Sequence, residues 1–417
     1  MTDRTISHAV CLGCGCSCDD IEITVKGDRI AGAVNACPVG LAWYGDGTVP
    51  TRVIVRGSDA KLELAARAVA ELLRSGPAMI YLAPDLTTEA QRQAIALADR
   101  SRARLDSVSS DTVAAGVLVG QRRGRATATL GEIRNRADLL VFWGLDPTAR
   151  YPRYWSRYAV EPAGTQVPNG AADRRVVAVD IGPSKGPRSA AARITVSRAE
   201  EATALGVMRA TVLGRELPGL SAGLQAAADL ARQMTQARYV ALIHDSEPEG
   251  DVGDSQRAEG LVGLAQALNG PTRCALSSLR GGGNRSGADA ATLWQTGFPF
   301  AVDFGGGTPR YRPEQPASAA LPGITSVLIV GSPHKLPDGV RRGLAGRRVA
   351  VIGPRASEAP FPAEVAIDTG VAGIHEAGIA YRMDDVPLPL PQILTGPAGT
   401  TTMLRAVAEA WAAGSKA

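Results

Sequence analysis

Cysteines crowd the start of this chain at a spacing that suits metal chemistry. Five of the six cysteines lie within the first 37 residues, four of them in Cys11-Leu-Gly-Cys14-Gly-Cys16-Ser-Cys18 and one at Cys37. Thiolates at C-x2-C-x3-C spacing, with a fourth farther along, can converge on one iron–sulfur cluster or on one zinc ion. This pattern predicts a metal site formed by Cys11, Cys14, Cys18 and Cys37, whereas Cys16 has no place in a four-ligand set.

The segment after this cluster predicts a β-hairpin that returns the chain to it. Apolar residues alternate with polar ones from Ile21 to Val25, Lys26-Gly-Asp-Arg29 forms a turn, and Ile30 to Val34 leads back toward Cys37. The hairpin would bring the distant fourth cysteine beside the other three. Residues 1–52 are therefore predicted to form a small cysteine-rich β module that binds a metal.

The remainder of the chain predicts parallel sheets covered by helices, because short apolar runs alternate with amphipathic stretches. The runs that predict buried strands are 78–82, 139–143, 176–180, 239–243, 327–330 and 348–353. The stretches that predict helices are 62–73, 88–98, 201–213 and 400–413. We expect an α/β fold in which residues 53–145 form one domain, residues 146–325 form a second, and residues 326–417 complete the first.

Composition and charge argue against several function classes. The 417 residues are 45% hydrophobic and 21% charged, which is ordinary for a globular protein. The net charge of +4, from 45 basic and 41 acidic residues, is too balanced to indicate binding to nucleic acid or to an anionic membrane. No apolar run approaches the roughly 20 residues of a membrane-spanning helix, and no signal peptide is visible. We therefore expect a cytoplasmic protein, in which clustered cysteines are metal ligands before they are disulfides.

The histidines show no spacing that suits a zinc hydrolase. His8, His244, His334 and His375 are widely separated and form no H-x-H or H-x3-H pair. His244 ends a predicted strand as His-Asp, which could be catalytic, and is interpreted as a solvated loop residue. Cys274, in another predicted strand, is interpreted as a small buried hydrophobe.

Two further segments leave a binding role and a structural role open. Gly281-Gly-Gly-Asn-Arg285 combines a flexible backbone with a cation, which suits either an anion-binding loop or a surface turn. The segment Tyr151–Tyr158 carries four aromatic rings beside arginines. Such a cluster suits contact with a partner subunit or a ligand, and equally suits ordinary domain packing.

Four segments, in order along the chain, carry a resemblance to a known family. They are the Cys11–Cys37 pattern ending in Asn35-Ala-Cys37, the segment Thr129–Asp138 that runs into Phe142-Trp-Gly144 and Tyr151–Tyr158, the segment Trp294–Phe304 with Pro309-Arg-Tyr311, and the segment Ala377–Asp384. Together they resemble the B subunit of molybdenum- or tungsten-dependent formylmethanofuran dehydrogenase. That resemblance implies a molybdopterin-oxidoreductase-like fold, with an N-terminal [4Fe–4S] module followed by α/β domains that hold a bis-pterin metal centre.

The chain departs from this family where the redox metal would be bound. In the resembling protein a cysteine or selenocysteine ligates the metal, roughly sixteen residues before the segment that matches Thr129. At that place this chain has Asp111-Thr-Val113, which offers neither a thiol nor an imidazole. Lys185 and Arg188 could hold phosphates, but their loop differs from that of the family. We expect no molybdenum or tungsten pterin, the alternative being that Asp111 ligates the metal.

Within the family, this combination is most similar to the B subunit of bacterial formyltransferase/hydrolase complexes. That likeness implies a non-redox, structural and carrier-binding role, with the A, C and D subunits and a methanofuran-type carrier as partners. Such a complex transfers formyl from formyl-tetrahydromethanopterin to the carrier and hydrolyses it to formate. The alternative is the B subunit of an active molybdenum or tungsten formylmethanofuran dehydrogenase. Three outcomes stay open for the cysteines: a [4Fe–4S] cluster, a zinc ion, or buried thiols left behind by a lost redox centre.

Overall fold

The computed structural model describes residues 3–247 and 254–414 of the chain. The chain divides into two compact units, the first made of residues 1–111 and 282–417 and the second of residues 112–281. The four-segment division expected from the sequence stays a prediction. None of the helices in the described ranges combines the length and the apolar surface that a membrane crossing requires.

In chain order the strands are β1 (Arg4–Ala9), β2 (Ile21–Lys26), β3 (Arg29–Val34), β4 (Val53–Val55), β5 (Ser58–Asp59), β6 (Ala78–Leu82), β7 (Arg104–Ser107), β8 (Leu139–Trp143), β9 (Arg175–Ile181), β10 (Ala192–Val196), β11 (Tyr239–Asp245), β12 (Arg273–Leu279), β13 (Val302–Asp303), β14 (Arg310–Tyr311), β15 (Ser326–Val330), β16 (Arg348–Gly353), β17 (Val365–Asp368), β18 (Gly378–Tyr381) and β19 (Pro387–Leu390).

The α-helices are α1 (Pro38–Tyr44), α2 (Leu62–Arg74), α3 (Thr88–Ser101), α4 (Val108–Thr112), α5 (Ala114–Arg123), α6 (Leu130–Arg136), α7 (Pro147–Arg150), α8 (Glu201–Val212), α9 (Ala222–Gln236), α10 (Ser255–Leu268), α11 (Arg285–Thr296), α12 (Ala317–Ala320), α13 (Asp338–Gly343) and α14 (Thr400–Gly414). Every strand and helix predicted from apolar patterning is present, most with bounds within two residues. The α/β expectation is confirmed.

The first unit is built on a nine-stranded sheet in the order β14-β13-β7-β6-β15-β16-β17-β4-β5. The five strands from β7 to β17 in that order run parallel, and the two short strands at each edge pair antiparallel. Successive side chains of a strand face opposite sides of its sheet. Ile80 and Leu82 therefore enter the apolar layer that includes α2, α3 and α14, whereas Met79 and Tyr81 enter the layer that includes α12 and α13.

A small antiparallel sheet, β1-β2-β3, follows the sequence prediction for the N-terminal hairpin. β2 and β3 pair with Glu22 opposite Val34, so the strand that follows the turn leads back toward Cys37. The hairpin prediction is confirmed. Ile21, Ile23 and Val25 all face inward and are buried, as their alternation with polar residues indicates.

The second unit is a five-stranded, fully parallel sheet in the order β10-β9-β8-β11-β12. Helices α8, α9 and α10 cover its apolar face, which includes Trp143, Val179 and Leu242. From β8 the chain adds β9 and β10 on one side of that strand, and it then adds β11 and β12 on the other side. The direction in which strands are added therefore reverses between β8 and β11. In doubly wound sheets ligands bind beyond the strand ends at such a reversal.

Candidate functional site

Four cysteine side chains gather in the first unit. The loop that carries three of them is tight: the N–H of Cys11 donates to the carbonyl of Cys18 at 2.9 Å. Burial and, to a smaller extent, charge repulsion from the neighbouring Cys14, Cys18 and Cys37 together raise the pKa of the Cys11 thiol to about 12. Cys16 is fully buried in the same loop. Cys11 thus lies near the other three cysteines that the spacing selected, and the ligand set itself stays a prediction.

Helix α1 has a glycine, which carries no side chain, where it faces two of these sulfurs. Pro38 begins the helix directly after Cys37, and the two buried residues of the helix, Gly40 and Tyr44, lie one turn apart on the same face. A Cβ atom at Gly40 would lie 3.2 Å from the Sγ of Cys11 and 4.0 Å from the Sγ of Cys37. Gly40 therefore keeps space open beside the sulfurs, where any larger side chain would intrude.

Two buried hydroxyl groups beside the cysteines find no hydrogen-bond partner among the described residues. They belong to Ser17, which is 1% exposed, and Tyr44, which is 2% exposed. The charges of Cys11 and Cys18 act on Tyr44, and burial together with these charges raises the pKa of its hydroxyl. Buried hydroxyl groups in proteins are nearly always hydrogen-bonded. These donors fit a site that is completed by a group with sulfur acceptors.

No group of three or more histidine, cysteine, aspartate or glutamate side chains within residues 3–247 and 254–414 qualifies as a ligand set for one metal ion. A cluster of several irons is larger than one ion and needs a wider set of thiolates. The choice among an iron–sulfur cluster, a zinc ion and buried thiols therefore stays a prediction at this site. Sequence reasoning missed Gly40 and Tyr44, whose spacing after Pro38 was the available signal.

The glycine run at 281–283 has a packing role that the sequence did not reveal. The N–H of Gly283 donates to the carbonyl of Leu12 at 2.8 Å, within the cysteine loop. A Cβ atom at Gly282 would lie only 2.4 Å from the carbonyl oxygen of Gly13. Gly282 therefore allows two backbones to meet directly, which is a third role beside the anion loop and the surface turn considered from the sequence.

The segment at residues 111–112 has side chains that are already engaged. In the first unit, the Oδ1 of Asp111 accepts hydrogen bonds from the hydroxyl and the N–H of Ser318. In the second unit, the hydroxyl of Thr112 donates to Oε1 of Glu247 at 3.4 Å. Neither residue supplies a soft sulfur ligand. Cys274, whose pKa burial raises to about 12, lies in the interior of β12 as the sequence suggested.

Ion pairs occupy the strand ends at the reversal between β8 and β11. The guanidinium of Arg150 bonds the carboxylates of Asp245 and Glu247, whose side chains are 9% and 7% exposed. Glu247 also accepts the N–H of Gly281 at 3.0 Å. Arg257 donates to Glu201 at 2.9 Å. The charged groups named here are thus bonded to one another.

The loop after β9 is likewise bonded to itself. Asp180, at the end of that strand, accepts from the N–H of Gly186 at 2.9 Å and from the guanidinium of Arg193. The amine of Lys185 donates to the carbonyl of Gly182 at 2.9 Å and lies 3.7 Å from Asp180. Lys185, which the sequence offered as a phosphate ligand, thus neutralises a carboxylate of its own loop, while Arg188 is exposed.

A buried carboxyl group lies at the ends of β6 and β7. Tyr81 and Asp106 are neighbours on the two parallel strands, and both are buried. Burial raises the pKa of the Asp106 carboxyl to about 7, and the nearby charge of Asp111 contributes to the rise. Its Oδ1 accepts the N–H groups of Ser107 and Ala301 at 2.8 and 3.0 Å. Asp106 is therefore a group that takes up a proton near neutral pH.

His244 is buried, contrary to its interpretation as a solvated loop residue. It lies within β11, next to Ser278 of β12, whose Oγ is 2.7 Å from its Nε2. Its Nδ1 is 3.1 Å from the carbonyl oxygen of Asp245. Burial lowers the pKa of this histidine well below its usual value. The strand simply extends two residues beyond the apolar run, which hid the burial of the ring.

The aromatic cluster of the second unit serves packing. Tyr151, Tyr154 and Tyr158 are buried. The ring of Phe142 lies 6.1 Å from that of Tyr154 and 5.8 Å from that of Trp155. The structure therefore supports the packing alternative for these tyrosines.

Comparison with known proteins gives two relatives that match most of the chain. No protein-family model matches it. The B subunit of the tungsten-containing formylmethanofuran dehydrogenase 2 of Methanocaldococcus jannaschii is 30% identical over an alignment of 416 positions, which covers 95% of this chain and 95% of that protein. The B subunit of the formyltransferase/hydrolase complex Fhc of Methylorubrum extorquens is 28% identical over an alignment of 374 positions, which covers 84% of this chain and 96% of that protein.

A solved structure shares the fold. A chain of the crystal structure of the formyltransferase/hydrolase complex (FhcABCD) from Methylorubrum extorquens in complex with methylofuran superposes with a TM-score of 0.74 at 23% identity. The match covers 88% of this chain and all of that chain. At this level of identity the likeness is one of fold, and it agrees with the parallel α/β architecture described above.

Proposed function

The chain belongs to the family of formylmethanofuran dehydrogenase B subunits, and from this premise we propose that it is the B-type subunit of a multisubunit complex that handles formyl groups in one-carbon metabolism. Its α/β units would be those of a molybdopterin-oxidoreductase scaffold. The relatives are named as subunits of a tungsten dehydrogenase and of a formyltransferase/hydrolase complex, and both assignments concern the formyl group.

Within that family we assign the chain to the non-redox branch. The complex would transfer formyl from formyl-tetrahydromethanopterin to a methanofuran-type carrier and hydrolyse it to formate, in the cytoplasm, together with A, C and D subunits. This chain would have a structural and carrier-binding role. The observation that carries the assignment is the donor set: residues 111–113 hold no sulfur, and the one cysteine outside the N-terminal module, Cys274, is buried within a strand.

The second unit supports the same assignment. A dinucleotide at the reversal between β8 and β11 would need free charged or polar groups at the strand ends. Arg150, Asp245 and Glu247 are bonded to one another there, and Lys185 is bonded within its own loop. Separating these pairs would leave buried carboxylates without a partner, which is costly.

The N-terminal cysteines are proposed to hold a [4Fe–4S] cluster through Cys11, Cys14, Cys18 and Cys37. Such a cluster supplies one-electron transfer when it is bound. Three features support this ligand set. They are the tight loop, the absence of a side chain at Gly40, and the hydroxyls of Ser17 and Tyr44, which have no partner among the described residues. In a non-redox subunit its role would be to fix the loop, as structural metal sites do.

A second candidate function is that of a subunit in an active molybdenum or tungsten dehydrogenase. The observation in its favour is the tungsten relative, which matches 95% of this chain where the formyltransferase/hydrolase relative matches 84%. Asp111 would then have to ligate the metal in place of sulfur, and to give up its hydrogen bonds to Ser318.

Metal analysis of the anaerobically purified native complex separates the two functions. We expect about four iron atoms per chain and no tungsten or molybdenum. The same complex should release formate from the formyl carrier without reducing a redox dye. Tungsten or molybdenum at near one atom per chain, together with formate-dependent dye reduction, would overturn the non-redox assignment.

A further inference from the structure

The hydroxyl of Tyr44 lies where it can act on the proposed cluster. Tyr44 is the last residue of α1 and lies one turn after Gly40, on the same face of the helix. That face is turned toward the cysteine sulfurs, since the Cβ position of Gly40 is 3.2 Å from the Sγ of Cys11. Tyr44 therefore lies on the helix face that Gly40 turns toward the Sγ of Cys11.

The hydroxyl of Tyr44 lacks a hydrogen-bond acceptor among the described residues. It is buried and has no hydrogen-bond partner in the described part of the chain. Leaving a buried hydroxyl unpaired destabilises the folded protein. On the same face of α1, one turn away, the Sγ of Cys11 lies 3.2 Å from the Cβ position of Gly40. Sulfur is thus the acceptor chemistry that the surroundings of this hydroxyl provide.

Cys11 already receives one such bond from the backbone. The N–H of Gly13 lies 3.4 Å from its Sγ. Hydrogen bonds to cluster sulfurs are one of the ways in which a protein sets the reduction potential of an iron–sulfur cluster, because donors stabilise the more negative, reduced state. A phenol that donates to the same group of sulfurs would add to this stabilisation.

We propose that Tyr44 is a positioning residue that donates a hydrogen bond to a sulfur of the N-terminal cluster and raises its reduction potential. The inference rests on the proposed cluster at Cys11, Cys14, Cys18 and Cys37. It assigns to Tyr44 a role that neither the cysteine spacing nor the fold implies.

The test compares reduction potentials of the full-length chain, purified or reconstituted with iron and sulfide under anaerobic conditions. Tyr44→Phe removes only the hydroxyl and should shift the midpoint potential, measured by redox titration with EPR detection, to a more negative value. Tyr311→Phe is the matched control, because Tyr311 lies on β14 at the edge of the nine-stranded sheet. Its potential should equal that of the wild type.

A second variant decides the outcome if Tyr44→Phe fails to retain iron. Replacement of Tyr44 with 3,5-difluorotyrosine keeps the ring and makes the phenol a stronger donor, so the potential should shift to a more positive value. A merely structural role would not give shifts of opposite sign. Unchanged potentials in a cluster-containing protein would refute the role of Tyr44 and leave the cluster proposal intact. A wild-type chain that binds no iron after reconstitution would refute both.

Discussion

The region around the N-terminal cysteines and the strand ends of the second unit differ in whether their buried polar groups have bonding partners. The buried hydroxyls of Ser17, in the loop, and of Tyr44, in the adjoining helix α1, have no partner among the described residues. At the strand ends, Arg150 and its two carboxylate partners are bonded to one another. A region shaped for a ligand leaves donors unpaired when the protein is considered alone, whereas the second region satisfies its own charges.

This contrast agrees with the proposal that the chain keeps a cysteine ligand set and lacks a pterin metal site. The proposed cysteine ligands lie on one local loop and on the residue that precedes α1. The sequence has no cysteine near residue 112, and Arg150 at the strand ends of the second unit is bonded to Asp245. Function in such a scaffold follows from the residues at its sites more than from its fold.

The cysteine loop can be tested by removing single thiols, which should give the largest effect. Cys11→Ser should abolish most of the bound iron and the brown absorbance of the anaerobic protein, because a four-thiolate site loses one ligand. Cys16→Ser is the matched control in the same loop and should retain the iron. Equal iron contents in the two variants would show that the four-cysteine ligand set is wrong.

The buried carboxyl of Asp106 gives the next largest effect, in the pH dependence of stability. Its pKa in the folded protein is raised from 3.8 to about 7, so folding favours the protonated form. The folded protein therefore keeps its full stability with respect to Asp106 below about pH 4, and loses stability as the pH rises through about 7 and the buried carboxyl ionises. Asp106→Asn should remove this dependence, which amounts to about 4 kcal/mol.

Urea unfolding of the wild type and of Asp106→Asn at pH 4.5 and pH 8 would measure this difference. Asparagine keeps an oxygen for the N–H groups of Ser107 and Ala301. The variant should therefore match the wild type at the lower pH and exceed its stability at the higher pH. Parallel pH profiles would indicate that Asp106 is ionised throughout this range.

The ion pairs at the strand ends can be broken by Arg150→Ala. The variant leaves the buried carboxylates of Asp245 and Glu247 without their cation, and should lower the free energy of unfolding by about 3 kcal/mol. The matched control is Arg136→Ala, which removes a half-exposed pair with Glu132 on the surface of α6 and should cost below about 0.5 kcal/mol. Equal losses would mean that the strand ends are not closed by Arg150.

The contact between the glycine run and the cysteine loop is expected to give the smallest of these effects. Gly282→Ala places a methyl group 2.4 Å from the carbonyl oxygen of Gly13 and should destabilise the protein by about 2 kcal/mol. Gly116→Ala, in helix α5, meets no atom within 4 Å and should stabilise slightly, since alanine favours a helix. Thermal unfolding followed by circular dichroism would distinguish the two signs. A Gly282→Ala variant as stable as the wild type would contradict the packing role.

The sequence by itself determined the positions of the strands and helices, the α/β class, the membership of the family and the lack of a cysteine between Cys37 and Cys274. These properties are readable because burial imposes a local period on apolar residues, and because the presence or absence of a residue type needs no coordinates.

Only the tertiary structure decided which distant groups meet. It placed Gly282 against Gly13 and Tyr44 beside Cys11, buried His244 next to Ser278, and joined Arg150 to Asp245. Such pairs are separated by tens to hundreds of residues, and no local period encodes them. They depend on strand register and on the crossovers between strands, which fix where the ends of distant elements come together.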